Sequence, residues 1–128
     1  MFKMFTFKAL LAFVASVLTV GFGLPTTLMY AVLVLIVVDY ITGVVAAGVS
    51  GKLNSNVGAK GIAKKFVILA ICVVAYQVDK IAGSGVIIRN ACLYFYGINE
   101  LLSIVENAGK VGVPVPTALK NAIDVLRG

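Results

Sequence analysis

Two groups of residues stand out as able to do chemistry in a chain whose long stretches are otherwise apolar. The first is Asp39, the one charge in the block from Leu28 to Val49. It is followed by Thr42, Gly43, Ala46, Ala47 and Ser50 at helical spacings, which sets one carboxylate and a run of small residues along a single face. Small residues let a second helix approach closely, and an ionisable group in such a segment points to a water-filled path or an oligomer contact. The same face also suits plain packing, with Asp39 hydrogen-bonded to a neighbour. The second group is a stripe of Arg89, Tyr96, Asn99, Glu100, Ser103, Glu106 and Asn107, opposed by Ile87, Ile88, Ala91, Phe95, Ile98, Leu102 and Val105. A helix with these two sides lines an aqueous lumen, hides its polar side in a bundle, or lies flat in a membrane interface before inserting. The residues alone leave those three open.

Neither group makes an enzyme. Histidine is absent, which removes the commonest metal ligand and the usual general base together. No nucleophile has a base, no carboxylate pair has a positioning partner, and the glycines from Gly58 to Gly61 do not build a phosphate loop. No catalytic, cofactor-binding or metal-ligating residue is therefore assigned, and no cofactor is expected. Cys72 and Cys92 each lie inside an apolar block and read as free thiols. The net charge of +6 does not indicate nucleic acid, because the lysines are sorted to the ends of apolar blocks and form no patch with interleaved aromatics.

The elements that must position these residues follow from hydropathy. Of 128 residues, 61% are hydrophobic and only 12% charged, so the chain reads as an all-α integral membrane protein rather than a soluble domain. Four blocks are long enough to cross a hydrocarbon core of roughly 30 Å: residues 5–22, 28–49, 66–81 and 86–107, followed by a short amphipathic tail helix over 117–127. Together they form a single membrane domain over residues 1–128. The first block, with Lys3 and Lys8 ahead of it and Gly21 and Gly23 behind, also has the shape of a signal peptide. It is read here as the first span. The second keeps its span despite Asp39, since its Leu, Ile and Val residues at roughly −0.3 to −0.6 kcal/mol each together outweigh a central aspartate at roughly +2.5 to +3.5.

Residues 50–65 read as a polar connection with four lysines, and residues 82–85 as a tight hinge that Asp79 and Arg89 flank closely enough to pair across. Thr117 is the expected N-cap of the tail helix, in which Leu119, Ile123 and Leu126 share a face. Basic residues gather at the N-terminus, in the connection at Lys52, Lys60, Lys64 and Lys65, and around the tail at Lys110, Lys120 and Arg127. The positive-inside rule then puts both termini in the cytoplasm of a multi-pass protein.

Several short runs carry a more specific likeness. Asp39-Tyr40-Ile41-Thr42-Gly43, Gly51-Lys52-Leu53-Asn54-Ser55 and Gly61-Ile62-Ala63-Lys64-Lys65 come in that order, then Asn99 to Asn107 and Gly112-Val113-Pro114-Val115-Pro116 ahead of a basic tail. In this arrangement the chain resembles the toxin-secretion and phage-lysis holin family over about residues 39–127. The resemblance implies a protein that accumulates in the bacterial cytoplasmic membrane and oligomerises with itself. The resulting lesions let an endolysin, or in some relatives a toxin, reach the cell wall, with no direct contact required. It marks Asp39, Gly43, Glu100, Ser103, Glu106 and Asn107 as positions to test. The alternative is a small four-helix transporter or ion channel.

Overall fold

The computed structural model describes every residue from Met1 to Gly128 and consists of five helices with no strand: α1 (Phe2–Phe22), α2 (Thr27–Val49), α3 (Ser55–Ala82), α4 (Ile87–Val111) and α5 (Thr117–Arg127). Two of them, α1 and α2, are long and apolar enough on their own to cross a membrane. α3 and α4 are equally long but carry charged and polar side chains as well as apolar ones.

The element boundaries differ from the sequence expectation in three places. Most of the connection expected over 50–65, from Ser55 onward, is helix. Asn54 ends the turn by accepting a hydrogen bond from Val57 N at 2.9 Å, and α3 begins at Ser55, about three turns of lysine-bearing helix ahead of the apolar block. Gly58 and Gly61, which look like loop residues, instead form a flat strip on α3 against which the Tyr40 ring lies. α4 runs four residues past Asn107, to Val111. Thr117 is the first residue inside α5 and not its cap; Pro116 holds the capping position and makes no side-chain bond.

Short turns between consecutive helices give an up-and-down arrangement, and three levels of contact fix its register. At one end Lys65 of α3 meets Asp39 of α2 and Glu100 of α4. In the middle Val32, Ile36, Cys72 and Leu93 form an apolar layer, with Phe22, Met29, Leu69 and Tyr96 around it. At the other end Asp79 of α3 meets the start of α4. Most of the packing is between α2 and α4. They come together at Gly97, where an added Cβ would sit 3.2 Å from a methyl of Val32. Gly97→Leu is therefore expected to force these helices apart at a cost of about 1–3 kcal/mol. That appears as a lower thermal midpoint in mild detergent, with Gly97→Ala intermediate; an unchanged Gly97→Leu would contradict this close approach.

The burial pattern is inverted relative to a soluble protein. Only 14 residues are buried, and five of these are Asp39, Asp79, Arg89, Glu100 and Asn107. Phe, Leu, Ile and Val cover the outside, and α1 buries no residue at all. An apolar exterior around a polar interior is what a hydrocarbon solvent selects. The tail helix docks through one buried residue, Ile123, on its Leu119–Ile123–Leu126 face.

Candidate functional site

The site is a polar seam on the inward face of α4, split by the apolar layer into two clusters. On α4 it runs from Arg89 through Glu100 to Asn107, eighteen residues and so about 27 Å along the helix.

At the Glu100 end, the Lys65 ammonium donates to both Asp39 Oδ2 and Glu100 Oε2, the second at 2.5 Å. Asn107 Nδ2 donates to Asp39 Oδ1 at 3.0 Å, to the Asp39 carbonyl at 3.3 Å and to Thr42 Oγ1 at 3.0 Å. Thr42 in turn donates to Val38 O at 2.8 Å, so its hydroxyl relays the network into the α2 backbone. Two carboxylates and one ammonium thus share a space that is nearly closed to solvent: the Glu100 side chain is 5% exposed and that of Lys65 17%. A cleft of about 230 Å³ reaches this cluster from the side of Tyr40, Gly58, Gly61 and Lys64, with Gly43 and Ser103 on its walls. Such an arrangement holds three helices in one register and leaves no buried side-chain polar atom without a partner.

At the other end the expected Asp79–Arg89 ion pair does not form between side chains. Asp79 Oδ2 accepts from the Arg89 backbone N at 2.8 Å, and Oδ1 accepts from Ile88 N at 2.9 Å and from Ser84 Oγ at 2.6 Å. Asp79 is therefore a cap for α4 supplied by the end of α3. The first turn of a helix offers unpaired N–H groups and a positive dipole end, which a carboxylate satisfies together. This frees the Arg89 guanidinium, which is 1% exposed, to reach the end of α1. Its Nη1 donates to Phe22 O at 3.0 Å and Leu24 O at 3.1 Å, and the group lies over the Tyr76 ring. Gln77 Nε2 adds bonds to Gly21 O at 3.0 Å and Val20 O at 3.2 Å. Gly23, at φ 83°, is where this clamp closes, since a Cβ there would lie 2.7 Å from the guanidinium.

The residues singled out in the sequence divide accordingly. Asp39, Thr42, Glu100 and Asn107 are brought together; Gly43 and Ser103 lie at the cleft beside them. Arg89 belongs to the far cluster. Tyr96 packs with the apolar layer, its ring edge-on to Phe95 at 5.1 Å. Ala47 is half-buried beside Ala46, which is the fully buried member of that pair. Asn99 and Glu106 are exposed and lie off the seam, Glu106 forming a surface pair with Lys110 at 3.4 Å. The stripe is thus narrower than its seven residues suggest. By sequence Lys65 belongs with the lysines of the connection, yet it is the cation on which the cluster turns. A buried carboxylate needs a partner, and Lys65 directly precedes the third apolar block, the signal from which it is legible.

A model of the bacteriophage holin family matches residues 16–128, which takes in the last part of α1 and everything after it. The chain belongs to the bacteriophage holin family. A probable holin of Bacillus phage phi105 is 33% identical over 94 residues, covering 73% of this chain and 70% of the phage protein. An uncharacterised protein of Halalkalibacterium halodurans is 42% identical over 94% of this chain and 96% of its own length. One of Listeria monocytogenes is 45% identical over 80% of this chain and 73% of its own. No solved structure matches. Holins are non-enzymatic membrane proteins, and membership of the family points to a role in phage lysis.

Proposed function

We propose that the chain is a holin that accumulates in the bacterial cytoplasmic membrane, oligomerises with itself, and opens lesions through which an endolysin, or a toxin, passes. In this reading all four long helices span the bilayer as one membrane domain, over about residues 5–22, 28–49, 66–81 and 86–107. Both termini and the lysine-bearing start of α3 are cytoplasmic, and α5 lies at that surface. The observation that carries the reading is the polar seam of α4 enclosed in an apolar shell. As a monomer the seam is satisfied internally, so the bundle is stable in lipid. A polar face that size can instead be satisfied by water once several copies surround it, and the balance between the two states sets when lesions form. Asp39, Thr42, Gly43, Ala47, Glu100, Ser103 and Asn107 are the proposed seam and contact residues, and Arg89 holds the far end.

Induced expression in bacteria, followed through growth and membrane potential, tests this. A holin gives normal growth and then an abrupt collapse of potential. Selective ion flux that begins with expression and never ends in lysis would overturn the proposal in favour of a channel or transporter.

A further inference from the structure

α1 rests on α3 and stands off α2, leaving an apolar groove of about 450 Å³ between the first two helices. Ala15 and Leu18 form one wall, Met29 and Leu33 the other, and Cys72 and Leu93 belong to its floor. The groove ends at Gly23 and Pro25. We propose that it binds one acyl chain of an anionic phospholipid, with the lipid phosphate at Lys80. The inference rests on the membrane embedding of α1 and α2 and not on lysis.

Three observations select this occupant. The wall is almost wholly apolar: of its side chains only Thr19 and Tyr30 carry a polar atom, and the Thr19 hydroxyl is already bonded to Ala15 O at 2.8 Å. The volume is too small for a helix of a second copy, because one helical turn with side chains is about 10–12 Å wide and 5.4 Å long and fills a comparable space by itself. An alkyl chain, far narrower than a helix, can lie along the groove. Finally, the groove ends beside a cation without an acid. Tyr76 lies against Gly23, and the Lys80 ammonium sits 5.6 Å from the centre of that ring and pairs with no carboxylate, while its neighbour Asp79 is wholly engaged by α4 and Ser84. An exposed lysine near the end of α3, one aromatic ring away from the turn at which the groove ends, complements a phosphate whose chain lies in that groove.

The protein is reconstituted in vesicles of equal phosphatidylglycerol and phosphatidylcholine and its resistance to alkaline extraction is scored. It is then moved to mild detergent, and lipids retained per chain are counted by native mass spectrometry. The expected result is one retained lipid per chain, predominantly phosphatidylglycerol. Ala15→Phe, whose ring occupies the groove, should retain none, and Leu33→Phe does the same from the opposite wall should the first variant not fold. Lys80→Gln should keep one lipid and lose the preference for phosphatidylglycerol. No retained lipid on the native chain, or equal retention by the groove-filled variants, overturns the site; an unchanged preference in Lys80→Gln overturns the phosphate position. Extraction of the chain by alkali would refute membrane embedding itself, and the lipid count is independent of whether cells lyse.

Discussion

Lys65→Met is expected to lower the thermal midpoint of the purified protein in mild detergent by roughly 10–20 °C, the consequence of leaving a buried charge unpaired at about 3–5 kcal/mol. Methionine keeps the length and apolar stem of lysine and removes only the ammonium. Asp39 and Glu100, both bonded to it, then face each other without a cation. The triple variant Lys65→Met, Asp39→Asn, Glu100→Gln removes all three charges with little change of shape and should recover most of the loss. Far-UV circular dichroism on heating reads both. A single variant that melts with the native protein would show that the ammonium does not hold these helices. In cells, destabilising the resting bundle relative to its oligomers should also bring the collapse of potential forward.

Arg89→Leu acts at the other end and should release α1. The guanidinium and Gln77 supply the hydrogen bonds that reach α1 and the turn after it, and apart from the half-buried Phe22 little of α1 packs on the core to hold it otherwise. Hydrogen bonds from a charged donor contribute about 1.5–3 kcal/mol each, enough to change the docked fraction more than about tenfold. In a background free of Cys72 and Cys92, cysteines at Gly21 and Val73 report docking, since a Cβ at Gly21 lies 3.7 Å from the Val73 side chain. The native clamp should give a high disulfide yield between them, and Arg89→Leu a low one. Equal yields would mean that lipid, and not the clamp, keeps α1 in place.

Hydropathy is enough to read four helices from this chain, because the apolar blocks are long and broken by short polar turns, and the spacing of Leu119, Ile123 and Leu126 gives the fifth. It failed where helix and loop chemistry coincide. The stretch from Ser55 to Lys65 has the lysines and glycines of a connection, but the Asn54 cap and the Tyr40 ring against Gly58 and Gly61 make it helix. The site was half legible. Asp39, Glu100 and Asn107 stand out as polar residues on apolar elements, and their periodicity puts Glu100 and Asn107 on one face. Periodicity says nothing about which residue of another helix lies opposite, so it assigns no partner to Lys65, at the edge of the third apolar block, or to Gln77 inside it. The same limit explains Asp79 and Arg89. Closeness in sequence suggested an ion pair, whereas the open N–H groups at the start of α4 compete better for the Asp79 carboxylate and leave Arg89 to α1.

In the proposed function, a seam satisfied inside the resting bundle turns toward water when lesions form. Single cysteines at Ser103 and Asn107 on the seam, and at Ile98 and Leu102 beside it, placed in the cysteine-free background and treated with a membrane-impermeant thiol reagent before and after the collapse of potential, test it directly. Labelling at Ser103 and Asn107 should rise sharply at collapse while Ile98 and Leu102 stay unlabelled. Equal protection of all four positions after collapse would contradict it.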